Sequence, residues 1–314
     1  MAWLLAILQT LLFIVAAPLL AGGIKRIKCR LQNRKAPSLL QPYRDLRKLY
    51  GKRPILPYSS SWIFRYAPYI VFSATVLSAS VVPLIAVDLP TARMADMIVL
   101  VGFFALARTF LVLAGMDIGT AFGGMGSSRE MTISSLAEPA MLMAVFTLAM
   151  SAGTTNLSQA MGYVLDTGVV LRPSFVFAML GLMLVAIAET GRIPVDNPAT
   201  HLELTMIHEA MILEYSGRFL ALMEWAGQIK LMLYGVLIAN VFFPWGIART
   251  FTLADLGLGL GAIALKLTVL AILLALSEAL FAKMRIFRVQ EYLSFAFLLS
   301  VLGMLSHIIL ETQR

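Results

Sequence analysis

The sequence predicts an all-α integral membrane protein, a bundle of about eight transmembrane helices that forms a single polytopic domain over residues 1–314. The first observation is composition: 60% of the residues are hydrophobic and 13% are charged, which is too little polar surface to cover an apolar core in water. The second is that apolar residues form runs of about 17–25 residues, the length that crosses roughly 30 Å of hydrocarbon as a helix. These runs are continuously apolar and do not alternate, which argues against the strands of a membrane barrel.

The eight predicted helices follow one another along the chain and are separated by segments with charged or helix-breaking residues. In order, they cover residues 3–24, 66–87, 94–114, 131–150, 173–189, 219–244, 257–281 and 292–310. The positive charges of the first run follow it instead of preceding it, and the run is too long for the apolar region of a cleavable signal peptide. We therefore expect it to remain as a membrane helix.

Basic residues predict the orientation of the bundle. The segment 25–65, between the first two helices, holds 12 of the 25 Lys and Arg residues, and such an excess marks the cytoplasmic side. Threading eight helices from that side leaves four basic residues outside, and both termini are then predicted to lie outside. The long connections 25–65, 115–130 and 190–218 all fall on the cytoplasmic face, so this face is expected to be the working one.

Several classes of function and site are excluded by composition. The net charge of +8 is explained by topology and by contact with anionic lipid, and with no soluble domain to present a groove it does not predict nucleic-acid binding. The single cysteine, Cys29, excludes an internal disulfide and any cysteine-ligated cluster within this chain. The run from His208 to Ile212 lacks the second histidine of a zinc HExxH motif. We expect no cofactor and no metal in this chain.

Two of the cytoplasmic connections have distinctive sequences. Segment 115–130, GMDIGTAFGGMGSSRE, contains five glycines and is predicted to be a loop whose backbone approaches a partner or ligand closely. It lacks the GxxxxGK[ST] pattern of a phosphate loop. In segment 190–218, Pro194 and Pro198 interrupt the chain, and a helical stretch capped by Asn197 is predicted from about Ala199.

Charged residues inside the apolar runs predict a proton path. An ionisable side chain in hydrocarbon costs on the order of 2.5–3.5 kcal/mol, so each must face a cavity or a partner. Glu138, Glu189 and Glu224 fall at similar depth on three helices, where burial and mutual repulsion would let them share protons. The predicted path also includes Lys230, Lys266 and Glu278, which lie in the apolar runs or at their ends. Arg108 also lies within an apolar run. The alternative is that these charges form structural ion pairs that hold the bundle together.

Three motifs resemble subunit 1 of respiratory complex I and its relatives in energy-converting [NiFe]-hydrogenases. The first is the basic segment RLQNRKAPSLLQPYRDLRKLYGK, and the second is FRYAP, which begins at Phe64. The third is the acidic stretch that contains IPVD at 193–196 and EYSG at 214–217. The glycine-rich segment followed by Glu138-Pro139 is more similar to the hydrogenase-4 and formate hydrogenlyase branch.

The resemblance implies a non-catalytic membrane subunit that docks an iron–sulfur arm and links redox chemistry to ion translocation. It also implies that Glu189 lies at a junction with that arm. The other residues implied at this junction are Arg34, Asp45, Arg192, Asp196, Glu203 and Glu214. On the cytoplasmic face, the implied partners are an iron–sulfur small subunit and a hydrogenase-like large subunit. These partners would hold iron–sulfur clusters and a NiFe centre. Antiporter-like subunits would lie beside this chain in the same bacterial or archaeal cell membrane. The alternatives are the quinone-site subunit 1 of complex I itself and, in another class, a stand-alone secondary transporter, although no repeated halves are visible.

Overall fold

The chain folds as an all-helical bundle in the computed structural model, which describes residues 2–87, 89–94, 96–167, 172–196, 206–249 and 252–311. Within these ranges the α-helices are α1 (Ala2–Leu31), α2 (Gln41–Tyr50), α3 (Trp62–Val81), α4 (Met97–Asp117), α5 (Ala121–Ala152), α6 (Leu157–Thr167), α7 (Pro173–Glu189), α8 (His208–Ile212), α9 (Gly217–Leu237), α10 (Leu253–Leu280) and α11 (Ile286–Ser306). Helices α9 and α11 each continue into one π-helical turn, Ile238–Phe242 and His307–Glu311.

Six helices of the described part are long and apolar enough to cross a membrane, so the protein is a multi-pass membrane protein. They are Trp3–Leu31, Met97–Asp117, Ala121–Ala152, Gly217–Phe242, Leu253–Leu280 and Phe287–Leu310. The other two predicted segments are also helical, as α3 and α7, but α7 has 17 residues and α3 carries Arg65 and Pro68 near its start. The total of eight spans remains a prediction.

One end of the bundle gathers the long, charged connections, and we call it the basic end. Here α1, α4, α7 and α10 end, and α3, α5, α9 and α11 begin. Asp117 accepts a hydrogen bond from the Ser61 backbone N–H at 2.7 Å, and Ser216 accepts one from the Ile55 N–H at 2.8 Å. The described residues begin with Ala2 and end with Glu311 at the opposite end of the bundle, where the Ser151 hydroxyl is 3.2 Å from His307 Nδ1.

The predicted helix 66–87 has different bounds in the structure. Ser61 caps it, because its side chain accepts from the Ile63 N–H, and the helix ends at Val81. Pro83 lacks an N–H and disfavours helical geometry in the residue before it, which explains the early end. The buried carbonyls that follow are satisfied by side chains of other helices: Asn240 Nδ2 donates to the Pro83 and Leu84 oxygens at 3.0 Å.

The prediction that residues 115–130 form a loop is wrong. After Gly119, which has a positive φ of 71°, the chain enters α5, and Thr120 caps this helix. Gly126 serves helix packing within the chain, because a Cβ there would lie 2.9 Å from Ala210 Cβ and 3.0 Å from the Ile207 oxygen. Glycine weakens a helix locally, but here it lets α8 pack directly against α5.

The other two segments that are predicted to be cytoplasmic also contain helices. Helix α1 continues to Leu31, so Lys28 and Arg30 lie in its last turn, where cations interact favourably with the helix dipole. Segment 25–65 contains α2, whose Leu46 is buried while Arg44 and Arg47 are exposed. In segment 190–218 the short helix α8 is present, whereas Asn197, Pro198 and Ala199 lie outside the described residues.

The orientation makes a simple prediction. The basic end is predicted to face the cytoplasm, and both termini are predicted to lie outside. A reporter that is active only in the cytoplasm should therefore be inactive when it is fused after Arg314 and active when inserted after Gln32. The reverse pattern of reporter activity would contradict the predicted topology.

Candidate functional site

Arg108 is the centre of a buried ion-pair network between α4, α5 and α7. Its side chain is 4% exposed. Nη1 donates to Glu138 Oε1 at 2.9 Å, Nη2 pairs with Glu189, and Nε lies 3.4 Å from Glu130 Oε1. Glu130 and Glu138 are eight residues apart on α5, so both face α4. One planar guanidinium thereby contacts three carboxylates.

Glu189 is the most deeply buried of these carboxylates, because its side chain is only 2% exposed. It is the last residue of α7, and the negative end of a helix dipole disfavours an anion there. Two cations offset this: Arg108, and Lys230 of α9, whose Nζ donates to Glu189 Oε2 at 2.8 Å. The network therefore links four helices, α4, α5, α7 and α9.

A cavity of about 70 Å³ lies beside this network. Its polar lining includes Arg108, Glu130, Glu189, Asp196, His208 and Lys230. A cavity needs about 10–15 Å³ and several polar groups to hold a water molecule, so this one can hold several. It connects buried Glu189 with Asp196 and His208, which belong to the segment that follows α7 at the basic end.

Three further ion pairs, in two groups, hold the basic end together. Glu278 of α10 accepts from Lys28 at 2.7 Å and from Arg192 at 3.2 Å. Asp196 accepts from Lys283 at 2.7 Å. The first group joins α1 and α10 to the residues after α7, and the second attaches the IPVD motif to the connection between α10 and α11.

The structure does not bring all the predicted proton-path residues together. Glu138, Glu189 and Lys230 meet in the Arg108 network, whereas Glu278 belongs to the Lys28–Arg192 group. Lys266 lies apart: its Nζ is 3.3 Å from Asn240 Oδ1 and 4.7 Å from the centre of the Trp245 ring. Glu224 lies in a different electrostatic environment. The charged groups that interact with it are Glu209, Asp45 and Lys25.

The predicted junction residues are spread over the basic end. Arg192 and Asp196 take part in the ion pairs described above. Asp45 accepts from Gln41 at 2.9 Å within α2, Arg34 is exposed, and Glu214 is half-buried between α8 and α9. Glu203 lies outside the described residues, as does His201.

The EYSG and FRYAP motifs meet in the structure. The Tyr215 ring stacks on Phe64 with ring centres 4.0 Å apart, and its hydroxyl donates to the Phe64 oxygen at 2.9 Å. Burial raises the pKa of Tyr215, which keeps the hydroxyl protonated as a donor. Gly217 has a positive φ of 54°, and a Cβ there would lie 2.7 Å from the Lys52 oxygen. The motifs thus fix the start of α9 against the start of α3.

Gly217→Ala should therefore destabilise the protein. The left-handed conformation costs a residue with a Cβ about 1–2 kcal/mol, and the contact with the Lys52 carbonyl adds to this. Gly227→Ala is the matched control, because a Cβ at Gly227 meets nothing within 4 Å and alanine favours the helix by up to about 1 kcal/mol. Thermal unfolding of the purified protein should show a lower midpoint for Gly217→Ala alone. Equal midpoints for both variants would contradict this role of Gly217.

Sequence reasoning missed several members of these clusters. Glu130 falls in the segment misinterpreted as a loop, although its spacing of eight residues from Glu138 would have indicated a shared face if the helix had been recognised. In the sequence, Lys28 and Lys283 are basic residues that indicate only the orientation of the bundle. No sequence signal pairs Lys28 with Glu278, which is 250 residues away.

Comparison with known proteins identifies the family. A family model described as NADH dehydrogenase matches residues 3–309. The chain belongs to this NADH dehydrogenase family. It is 33% identical over 286 residues to formate hydrogenlyase subunit 4 of Escherichia coli (strain K12), covering 91% of this chain and 92% of that protein. It is 31% identical over 298 residues to hydrogenase-4 component C of the same organism, covering 95% of this chain and 93% of that protein.

More distant members of the NADH dehydrogenase family include an NADH-quinone oxidoreductase subunit of Salinibacter ruber. That protein is 25% identical over 240 residues, covering 73% of this chain and 69% of the relative. Among solved structures, a chain of the membrane-bound sulfane sulfur reductase, an archaeal respiratory membrane complex, is similar with a TM-score of 0.78. It covers 97% of this chain and 98% of its own length at 19% identity, so it supports the fold.

Proposed function

We propose that this chain is the membrane-anchor and proton-coupling subunit of an energy-converting complex of the hydrogenase-4 and formate hydrogenlyase type. The observation that supports the coupling role is the Arg108 network beside a cavity with room for water. Cations hold Glu189 and Glu138 in place, and the cavity offers a route from buried Glu189 toward Asp196 and His208 at the basic end. Such an arrangement can respond to a charge change near the basic end by exchanging protons.

Two surfaces of the bundle support the proposed partners. At the basic end, exposed arginines on α2 would contact a soluble arm composed of an iron–sulfur small subunit and a hydrogenase-like large subunit. These partners would contain the redox centres, iron–sulfur clusters and a NiFe site. Along the bundle, α10 and α11 expose apolar side chains such as Leu265, Val269 and Phe295, which would face lipid or antiporter-like subunits of a cell membrane.

Proton coupling is tested by Glu189→Gln in the complex purified with this chain. Glutamine preserves the size of the side chain but cannot titrate. Arg108 retains Glu138 and Glu130, and Lys230 lines the cavity and can contact water, so we expect the complex to assemble. Proton uptake by sealed vesicles should fall about 10²-fold, the lower range for loss of a positioned acid–base group, while electron transfer to artificial carriers falls much less.

Glu130→Gln is the matched control. Glu130 also lines the cavity, and its contact with Arg108 is the longest of the three. We expect this variant to retain proton uptake. Normal proton uptake by Glu189→Gln at wild-type abundance would exclude the coupling role. Loss of assembly with an unchanged ratio of proton uptake to electron transfer would identify the network as a purely structural set of ion pairs.

A further inference from the structure

A second cavity lies between α1, α7, α9 and α10, and Thr190 borders both this cavity and the one beside the Arg108 network. Its volume is about 170 Å³, and its walls are almost wholly apolar, with Ile24, Met183, Leu231, Ile238, Leu267 and Ala271 among them. A cavity of about 150 Å³ lined by such residues stays dry and accepts small apolar molecules. At one edge, Leu273 of α10 is 49% exposed, so the cavity opens toward the lipid side of the bundle.

The cavity has a polar, positively charged end. Three of its helices pass directly from the apolar lining to one member of the Lys28–Glu278–Arg192 group. On α1, Lys28 follows Ile24 by one helical turn and so lies on the same face. After α7, the charged residue Arg192 comes two positions after the lining residue Thr190. On α10, the charged residue Glu278 directly follows the lining residue Ser277.

The group carries one net positive charge, because two cations share one carboxylate. The Glu278 side chain is 2% exposed, whereas the Lys28 and Arg192 side chains each remain 19% exposed. Both cations therefore remain partly accessible while Glu278 is enclosed. An anionic group at the cavity mouth would meet two cations before it met the carboxylate.

We propose that this cavity binds an acyl chain of an anionic phospholipid, with the lipid phosphate beside Lys28 and Arg192. From Leu267 to Ser277 the α10 wall spans ten residues, about 15 Å at 1.5 Å per residue, which suits an extended hydrocarbon chain. A transmembrane helix of a neighbouring subunit has a diameter of about 10 Å, which is far wider than a single hydrocarbon chain, so a cavity between four helices of one chain favours the hydrocarbon chain. This inference does not depend on the proton-coupling role.

The test measures lipid retained by the protein after its purification from native membranes with its partner subunits. The purified sample is reconstituted into phosphatidylcholine vesicles that contain a minor fraction of phosphatidylglycerol, extracted again in mild detergent and analysed by lipid mass spectrometry. Wild type should retain phosphatidylglycerol in preference to phosphatidylcholine. Ala271→Phe places a ring in the cavity and should reduce retained phosphatidylglycerol several-fold. Val269→Phe, on the lipid-facing side of α10, should retain as much as wild type.

Lys28→Gln provides a second test that leaves the cavity volume unchanged. Glu278 keeps Arg192 as a partner, so the variant is expected to fold, and its preference for phosphatidylglycerol over phosphatidylcholine should fall several-fold. Unchanged phosphatidylglycerol retention by folded Ala271→Phe, or an unchanged headgroup preference in Lys28→Gln, would overturn the proposal. Loss of a neighbouring membrane subunit from Ala271→Phe, with lipid retention unchanged, would show that a protein partner fills the cavity instead.

Discussion

Arg108→Gln should cause the largest loss of stability of any single substitution in the network. Arg108 is buried, and its removal leaves Glu130, Glu138 and Glu189 without their common cation. Breaking a buried ion pair by removing one partner costs about 3–5 kcal/mol, which is a large part of the roughly 5–15 kcal/mol that stabilises a typical domain. We expect the variant to accumulate in membranes at a small fraction of the wild-type level and to unfold at a lower temperature.

Two companion variants separate charge from geometry at this site. Arg108→Lys retains a positive charge but lacks the planar fork that contacts three carboxylates, so it should recover only part of the lost stability. Combining Arg108→Gln with Glu189→Gln removes the most buried of the three carboxylates that lose Arg108 and should be more stable than Arg108→Gln alone. The measurements are the amount of monodisperse protein in detergent extracts and its thermal midpoint. Wild-type stability of Arg108→Gln would indicate that the three carboxylates are neutral in the folded protein.

Reversal of the exposed charges on α2 should release the soluble partners and leave the chain in the membrane. In Arg44→Glu combined with Arg47→Glu, Leu46 remains buried and α2 can still pack against α1 and α9. Ten of the 12 basic residues of segment 25–65 remain, so insertion is expected to be unchanged. Two negative charges in place of two positive ones should weaken an electrostatically complementary interface by about tenfold or more.

The control for this prediction is Arg285→Glu combined with Arg288→Glu. These arginines are also exposed at the basic end, but they lie at the start of α11, away from α2. Co-purification of the iron–sulfur partner with a tag on this chain, followed at low and high salt, measures the effect. The α2 variant should lose the partner, and the control should retain it. Equal retention by both variants would exclude α2 as the docking surface.

The sequence determined the class of fold because a continuous apolar run of membrane length has few alternatives to a helix. In hydrocarbon, each backbone N–H and C=O needs an internal partner, and a helix provides this within one segment. Each of the eight predicted runs therefore contains a helix in the described residues. The resemblance to the hydrogenase-4 branch was also evident in the sequence, because it rests on short motifs such as FRYAP and EYSG that can be recognised without the tertiary structure.

The glycine-rich segment 115–130 shows where local reasoning failed. Glycine has a low helix propensity, so five glycines in 16 residues indicate a loop when the segment is considered alone. In the folded chain, Gly126 lies against Ala210 and the Ile207 carbonyl, and this close packing outweighs the weak local preference. Glu130 was missed for the same reason, since its place on α5 became visible only once the segment was recognised as a helix.

The sequence also established that the buried charges need partners, because an isolated charge in hydrocarbon is costly. It did not establish which partner each one has. Arg108 meets Glu138 across 30 residues and Glu189 across 81, and Lys28 meets Glu278 across 250, whereas Glu224 and Lys266 lie in separate environments. The cost of burial depends on a single residue and is visible in the sequence. The choice of partner depends on which helix faces meet, and only the tertiary structure decides that.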